Sequence, residues 1–489
     1  MFRSIVEAVF HHAARRPEAL CLADDADRAT YREYADKVRR YAGFLAGEGV
    51  AAGDRVVVEA SQSVNYLALE LALQLLGAIF VPVERNCAPE KVAAFARRVD
   101  AAAVISARAE GCDAPLCRTL AEVEAGAASA TPYEAAALPE RTAVSEILFS
   151  TGTTGKEKGI VLTHDNDVAL AENVIRGVGM APDNVEMILS PLNHSHGLRR
   201  YYANMVNGSA AVLLGSAMNL RKFMANMEEY GVNAIDMVPA ALSAVLKLSK
   251  GRLADYRAQL RYIQFGAAPM PDADRAEICR LLPETRLYNF YGSTESGCIA
   301  IYDFNRPDAK RRCVGRPTCN ADIFIVDDDR RPIASSATHA GLLASAGRMN
   351  MVGYWQDAEE TARVLAEGVV YSSDEAYVDG DGDIILLGRR GDVINVGGSK
   401  VSPEEIENAA RQHPDVADCG VVPMDDPFKG SVPRLFVQMR AGRAFDAAAL
   451  RAFLAERLEP YKVPASIEQI AALPRSFNGK LLRKELKGL

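Results

Sequence analysis

Ser150 to Gly159, spelled STGTTGKEKG, packs three glycines, four hydroxyl side chains and two lysines behind the apolar run Ile147–Phe149. Glycines let backbone N–H groups close on an anion and lysines neutralise its charge, so the segment reads as a phosphate cradle. It is not the GxxxxGK[ST] loop of P-loop proteins: the residue five before Gly155 is Ser150, and Lys156 is followed by Glu157. Taken alone it reads equally well as a Gly/Thr-rich surface turn. Five more segments carry the types such a site needs: Gly266-Ala267-Ala268-Pro269; Asn289-Phe290-Tyr291-Gly292-Ser293-Thr294-Glu295; Asp374 within YSSDEA; the run from Gly388 to Glu407, GRRGDVINVGGSKVSPEEIE; and PRSFNGK, which ends at Lys480.

Positioning these segments takes a scaffold, and the apolar pattern supplies one. From about Asp24 to Pro191, helical and extended patterns alternate: Thr30–Ala46 as helix, Arg55–Ala60 as strand, Ser63–Leu76 as helix and Ala78–Val83 as strand. That alternation predicts a parallel sheet flanked by helices. It resumes after Pro191, with strands at Ala210–Leu214 and Ala234–Val238 and helices at Leu220–Tyr230 and Ala240–Leu248. Tyr262–Phe265 and Thr285–Tyr288 read as strands whose carboxyl ends lead into Gly266 and Asn289, the place where doubly wound sheets bind ligands. Between Cys313 and Leu387 the pattern shifts to short strands and Gly/Asp turns such as Asp379-Gly380-Asp381-Gly382. The alanine-rich stretch Ala121–Ala137 reads as a surface helix or loop.

Six ordered motifs together resemble the adenylate-forming superfamily, which holds acyl-CoA synthetases, firefly luciferase and the adenylation domains of nonribosomal peptide synthesis. The resemblance runs from Ala29-Thr30-Tyr31 to Lys480. It implies an α/β fold: a large N-terminal AMP-binding domain of doubly wound sheets over residues 1–390, including a small β-barrel-like subdomain at 311–388. A mobile α+β C-terminal domain is expected over 392–489, with the hinge at Gly391. The implied chemistry has two steps, formation of an acyl-AMP from a carboxylic acid and ATP with release of pyrophosphate, then transfer of the acyl group to a thiol.

The resemblance also implies roles. Thr151, Gly152, Thr153, Thr154, Gly155 and Lys158 hold the β- and γ-phosphates. Gly266, Ala267, Ala268, Asn289, Phe290, Tyr291 and Gly292 hold adenine, with Tyr291 able to stack on it. Thr294 contacts the α-phosphate, Glu295 coordinates Mg²⁺, Asp374 accepts from the ribose hydroxyls, and Arg389 meets ribose or phosphate. Lys480 bridges the substrate carboxylate and the α-phosphate. His194 and Asp236 line the acyl pocket, and Gly397, Gly398 and Lys400 line the thiol tunnel. No general base is expected in the second step, because a thiol of pKa near 8.5 is already partly ionised at neutral pH. Three positions depart from the family's usual residues: Gly391 for the hinge Asp or Lys, Glu157 for a Pro of the phosphate loop, and Gly341-Leu342 for Gly-Glu.

The expected function is that of an acid–thiol ligase, an acyl- or aryl-CoA synthetase using ATP, Mg²⁺ and coenzyme A. The alternative is a stand-alone enzyme that loads an acyl or amino acid onto a separate carrier protein. An amino-acid substrate is disfavoured because the pocket region, just after Pro191 and near Asp236–Ala241, lacks the Phe-Asp pair that the family's amino-acid-activating branch carries there, although Asp236 could serve instead. Arg199 and Arg200 suit either a second carboxylate or polar tail on the substrate, or solvent exposure. The 489 residues call for more than one domain, and a net charge of −8 argues against a broad nucleic-acid surface. Nine cysteines without a CxxC pair, and an N-terminus without a signal-peptide pattern, point to reduced thiols in the cytoplasm. The apolar stretch Leu67–Val83, broken by Glu70 and Gln74, reads as a buried helix and strand rather than a membrane span. His194 and His196 read as pocket or packing residues before metal ligands. Either a monomer or a homodimer is compatible with the chain.

Overall fold

The computed structural model describes residues 1–109, 111–151, 157–266, 270–396, 399–475 and 481–489. Three sheets organise the chain. The largest has a parallel core in which Leu20–Ala23, Ala210–Leu213, Val185–Ile188, Ala234–Met237, Tyr262–Phe265 and Arg286–Ser293 lie side by side. A seven-stranded sheet holds Arg55–Glu59, Ile79–Val83 and Val144–Thr151 in parallel, with Glu157–Thr163 added antiparallel. Helices lie between the two. The helix Val64–Leu75 is buried on nearly every side, and side chains of both sheets share its apolar cluster. A helix apolar all round belongs inside, which the Leu67–Val83 pattern anticipated.

Local signals placed these elements within a residue or two. Thr30 caps the helix Tyr31–Gly47 through a full capping box with Glu33, and Ser63 caps Val64–Leu75. The alanine-rich stretch forms the helix Leu120–Ser129, half embedded through Val123 and Ala127. One boundary moved. Arg286–Ser293 continues as strand through Asn289 and Phe290, because Gly297–Asp303 pairs along it antiparallel; the register slips only between Tyr291 and Gly292.

The β-rich segment adopts no closed barrel among the described residues. Cys313–Pro317 joins it to the large sheet, and Ile384–Arg389, Val369–Val378, Gly341–Gly347 and Ala321–Val326 follow as an open antiparallel run. Closure needs the last strand to return to the first, and the first is already paired on both edges. Gly341 and Leu342 pair with Ala376 and Glu375, and the register slips just after Leu342. The turn Asp379–Asp383 folds around the Lys310 ammonium, which lies 2.6, 2.7 and 2.8 Å from Asp379, Asp381 and Asp383. That acidic cluster already has its cation.

Residues after Gly391 build the third sheet, with Val416–Asp426 and Gly430–Met439 at its centre and a separate apolar cluster beneath. No helix among the described residues is long and apolar enough to cross a membrane.

Candidate active site

The phosphate segment spans a hairpin. Ser150 pairs with Lys158 and Thr151 with Glu157 across the strands Val144–Thr151 and Glu157–Thr163. Gly152, Thr153, Thr154 and Gly155 lie outside the described residues, and Thr151 is described by its strand position alone. Lys158 is largely buried, and its ammonium pairs with Glu360 while resting 5.2 Å from the centre of the Tyr354 ring. Hydrogen bonding from Arg363, and then from Lys158, holds the Glu360 carboxyl down to about 2 against the opposing pull of burial. Glu157, the departure from the family's usual proline, forms an ion pair of 2.9 Å with Lys91 and so ties the strand to the neighbouring helix Pro89–Val99.

Tyr354 also reaches the acidic turn. Its hydroxyl donates to Glu295 Oε1 at 2.9 Å, while the Glu295 carbonyl accepts the Met351 N–H at 2.8 Å. Thr294 stands half-buried beside it. One aromatic ring thus brings together the cradle's cation and the turn's carboxylate, which lie far apart in the sequence. Burial and the facing Glu295 push the phenol well above its ordinary range, so it remains a donor.

Asp374 and Arg389 face each other across neighbouring strands, with Nε 3.5 Å from Oδ1. The Tyr291 hydroxyl donates to Asp374 Oδ2 at 2.6 Å, and the Asp374 N–H donates to Ser372 Oγ at 3.0 Å. A small cleft lies among Tyr291, Gly292, Ser293, Ser372 and Asp374. Tyr291, expected to stack on a base, is anchored through its hydroxyl to the acid expected to take ribose.

Gly266 ends the strand Tyr262–Phe265 in tight quarters: a Cβ there would lie 2.6 Å from His196 Cε1. Ala267 and Ala268 lie outside the described residues. Asn289 and Phe290 sit on the adjacent strand, Phe290 buried. His194 caps the helix Ser195–Asn207 by position, and burial lowers its pKa. Asp236 is fully buried. Its Oδ1 lies 2.8 Å from His196 Nε2, and its other oxygen has no partner among the described residues. Burial opposes ionisation of Asp236, yet His196, and Arg200 and Ser190 with it, hold the carboxyl below its usual range. Arg199 and Arg200 are buried too, so solvent exposure is excluded for both.

Gly397, Gly398 and Lys480 lie outside the described residues, and Lys400 is described only by its place in the strand Ser399–Val401. Tyr354 and Glu360 were not singled out for roles from the sequence, whereas His196 was read there as a pocket or packing residue. Tyr354 and Glu360 belong to no periodic pattern, and only the fold carries them to Glu295 and Lys158.

The parallel strand ends, the charged groups that Tyr354 and Tyr291 bring together and the separate C-terminal sheet fit an adenylate-forming architecture. The chain belongs to the AMP-binding enzyme family: residues 9–355 match that family, and residues 405–480 match the AMP-binding enzyme C-terminal domain. It is 31% identical over 483 residues to a feruloyl-CoA synthase of an Amycolatopsis species, covering 97% of this chain and 96% of that one. It is 30% identical to the 2-succinylbenzoate–CoA ligase of Geobacillus kaustophilus, covering 97% and 95%. Among solved structures, ATP-bound MatB from Rhodopseudomonas palustris has the same fold, with a TM-score of 0.88 at 22% identity over 100% of this chain and 99% of that one.

Proposed function

We propose that this chain is an ATP-dependent carboxylic acid–CoA ligase acting through an acyl-AMP. The observation that carries this reading is the meeting of Lys158 and Glu295 at Tyr354, beside the Asp374–Arg389–Tyr291 group. A cation from the seven-stranded sheet is brought there to a hard oxygen ligand and a ribose acceptor from the largest sheet. The named relatives are CoA ligases, so CoA is favoured over a carrier protein as acceptor.

In the first step the substrate carboxylate attacks the α-phosphorus and pyrophosphate leaves. Lys158 exchanges Glu360 for the phosphates of the leaving group, and Thr294 donates to the α-phosphate. Glu295 offers Oε2, since Oε1 is taken by Tyr354; one free carboxylate oxygen beside nucleotide phosphates suits Mg²⁺, which neutralises phosphate charge when bound. Asp374 takes the ribose hydroxyls and Arg389 steadies it. Lys480, from the C-terminal domain, bridges the two anions as they approach. In the second step the thiolate attacks the acyl carbonyl and AMP leaves, after the C-terminal domain turns about Gly391 and the Gly397–Gly398 loop replaces Lys480. The protein is read as cytoplasmic.

ATP–pyrophosphate exchange across a carboxylic-acid panel, followed by thioester formation with CoA, tests this reading. Lys480→Ala should cut exchange at least about tenfold, the scale of one lost charge-assisted contact. No exchange with any acid, or wild-type exchange in that variant, would contradict it. Tyr291→Phe should raise the KM for ATP about tenfold, equal to about 1.4 kcal/mol, with kcat nearly constant. A loss confined to kcat would show that Tyr291 does not position Asp374 for binding.

A further inference from the structure

The helix Ser195–Asn207 lays His196, Arg199, Arg200 and Asn204 along one face against the large sheet, the spacing that stacks side chains on one stripe. Both arginines are nearly inaccessible to solvent, at 6% and 1% exposure. Arg199 donates to His196 Nδ1, and its Nε has no partner among the described residues. Arg200 is barer still: none of its three guanidinium nitrogens has a hydrogen-bond partner there. One face of its guanidinium lies 4.4 Å from the Phe290 ring centre, and its nearest carboxylate, Glu186, is 4.0 Å away. Glu186 is already engaged, accepting from Gln264 at 2.8 Å and Asn204 at 2.6 Å.

Charge in this layer does not balance. Because Arg199 donates to Nδ1, the His196 ring must carry its proton on Nε2, which donates to Asp236; the ring is neutral and Asp236 is the anion. Burial pushes Glu186 up to about 7, so near neutral pH it supplies only part of a negative charge. Two guanidiniums therefore face one full carboxylate and a fraction of another. Leaving a buried guanidinium unpaired costs several kcal/mol. A site that keeps such a group has a use for an anion.

The position says which anion. Phe290 follows Asn289, where parallel pairing with Tyr262–Phe265 ends, and His196 packs on Gly266, so the arginines stand behind the residues expected to hold the nucleotide and acid. We propose that Arg200, aided by Arg199, binds a second carboxylate on the substrate, making the preferred acids dicarboxylic. This rests on the ligase reading above and narrows its substrate class.

Exchange kinetics with matched acids test it: hexanoate against adipate, benzoate against its three carboxybenzoates, and cinnamate against 4-carboxycinnamate. In at least one set the diacid should exceed its monoacid in kcat/KM at least tenfold. Arg200→Met should lower that ratio at least tenfold, and Arg200→Lys should restore part of it. Met removes a buried unpaired charge at similar volume, so the variant should melt no lower than wild type. Should it fail to fold, the wild-type ratios and Arg200→Lys decide. Monoacids preferred in every set, or a ratio unmoved by Arg200→Met, would overturn the dicarboxylate assignment while leaving the ligase intact. No exchange with any acid would instead sink the ligase reading, and this inference with it.

Discussion

Glu70→Gln should remove one carboxyl's share, about 2 kcal/mol, of the stability that the wild-type chain loses as pH rises from 6.5 to about 8. Glu70, Glu146 and Asp167 are buried in the helix layer between the two larger sheets. Tyr202 Oη lies 2.6 Å from Glu70 Oε1 and 2.8 Å from Glu146 Oε2. A phenol has one hydrogen, so one of those contacts must be donated by a protonated carboxyl. Asp167 is fully buried with them, and its Oδ2 is unpartnered among the described residues. Burial raises all three, Glu70 to about 8.

The sign follows from proton counting. A carboxyl neutral in the fold and ionised in the unfolded chain binds more protons when folded, so stability falls with pH. For Glu70 the stabilisation is complete below 4.5 and gone above about 8. Buried histidines act in the opposite sense: burial lowers His164 to about 4 and also lowers His12, His194 and His196, so the unfolded chain takes their protons first. Their effect ends near 6.5, the ordinary histidine value. Above it the raised carboxyls act, each at about 1.4 kcal/mol per pH unit while it stays protonated in the fold, so Glu70 by itself contributes about 2 kcal/mol across the window. Glu70→Gln mimics the neutral acid and should make the decline shallower by that share, which melting temperatures at pH 6.5, 7, 7.5 and 8 would record. The same decline in both proteins would show that Glu70 is not the group that titrates.

These pairings explain what the sequence could and could not reveal. Capping boxes and short apolar runs are local, so the helices at Tyr31 and Val64 and the strand at Tyr262 were legible almost to the residue. Asp374 and Arg389 were legible as motif residues, and the ladder that sets them opposite each other agrees with a shared task. What escaped was non-local. Glu70 looked like an interruption in an apolar helix, and nothing near it announces Tyr202 or Glu146. Arg199 and Arg200 carry the most polar side chains in their helix, and exposure seemed as natural as burial until the sheet was placed beneath them. Closure of the β-rich segment into a barrel failed for the same reason: strand neighbours depend on pairing across the whole sheet.

The hinge offers the sharper functional test. Gly391 sits at φ +84°, where nothing lies within 4 Å of the position a Cβ would take. Space is therefore no obstacle to a side chain, and only the backbone angle is. Its carbonyl accepts from the Lys487 ammonium, which also reaches Asp392 Oδ1 at 3.3 Å, so the conformation is held from the C-terminal side. Proline's ring fixes φ near −65°, which closes the left-handed region to it. The arrangement with φ +84° should then be depleted by a hundredfold to a thousandfold, while one with negative φ is retained. If Gly391 is the pivot between adenylation and thioester formation, Gly391→Pro should lose one half-reaction by about that factor and keep the other. Exchange of pyrophosphate reports the first, and conversion of preformed acyl-AMP with CoA reports the second. Gly391→Ala, which tolerates positive φ at about 1 kcal/mol, should keep both within about tenfold. Equal loss of both half-reactions in the proline variant, or full retention of both, would remove Gly391 from the pivot.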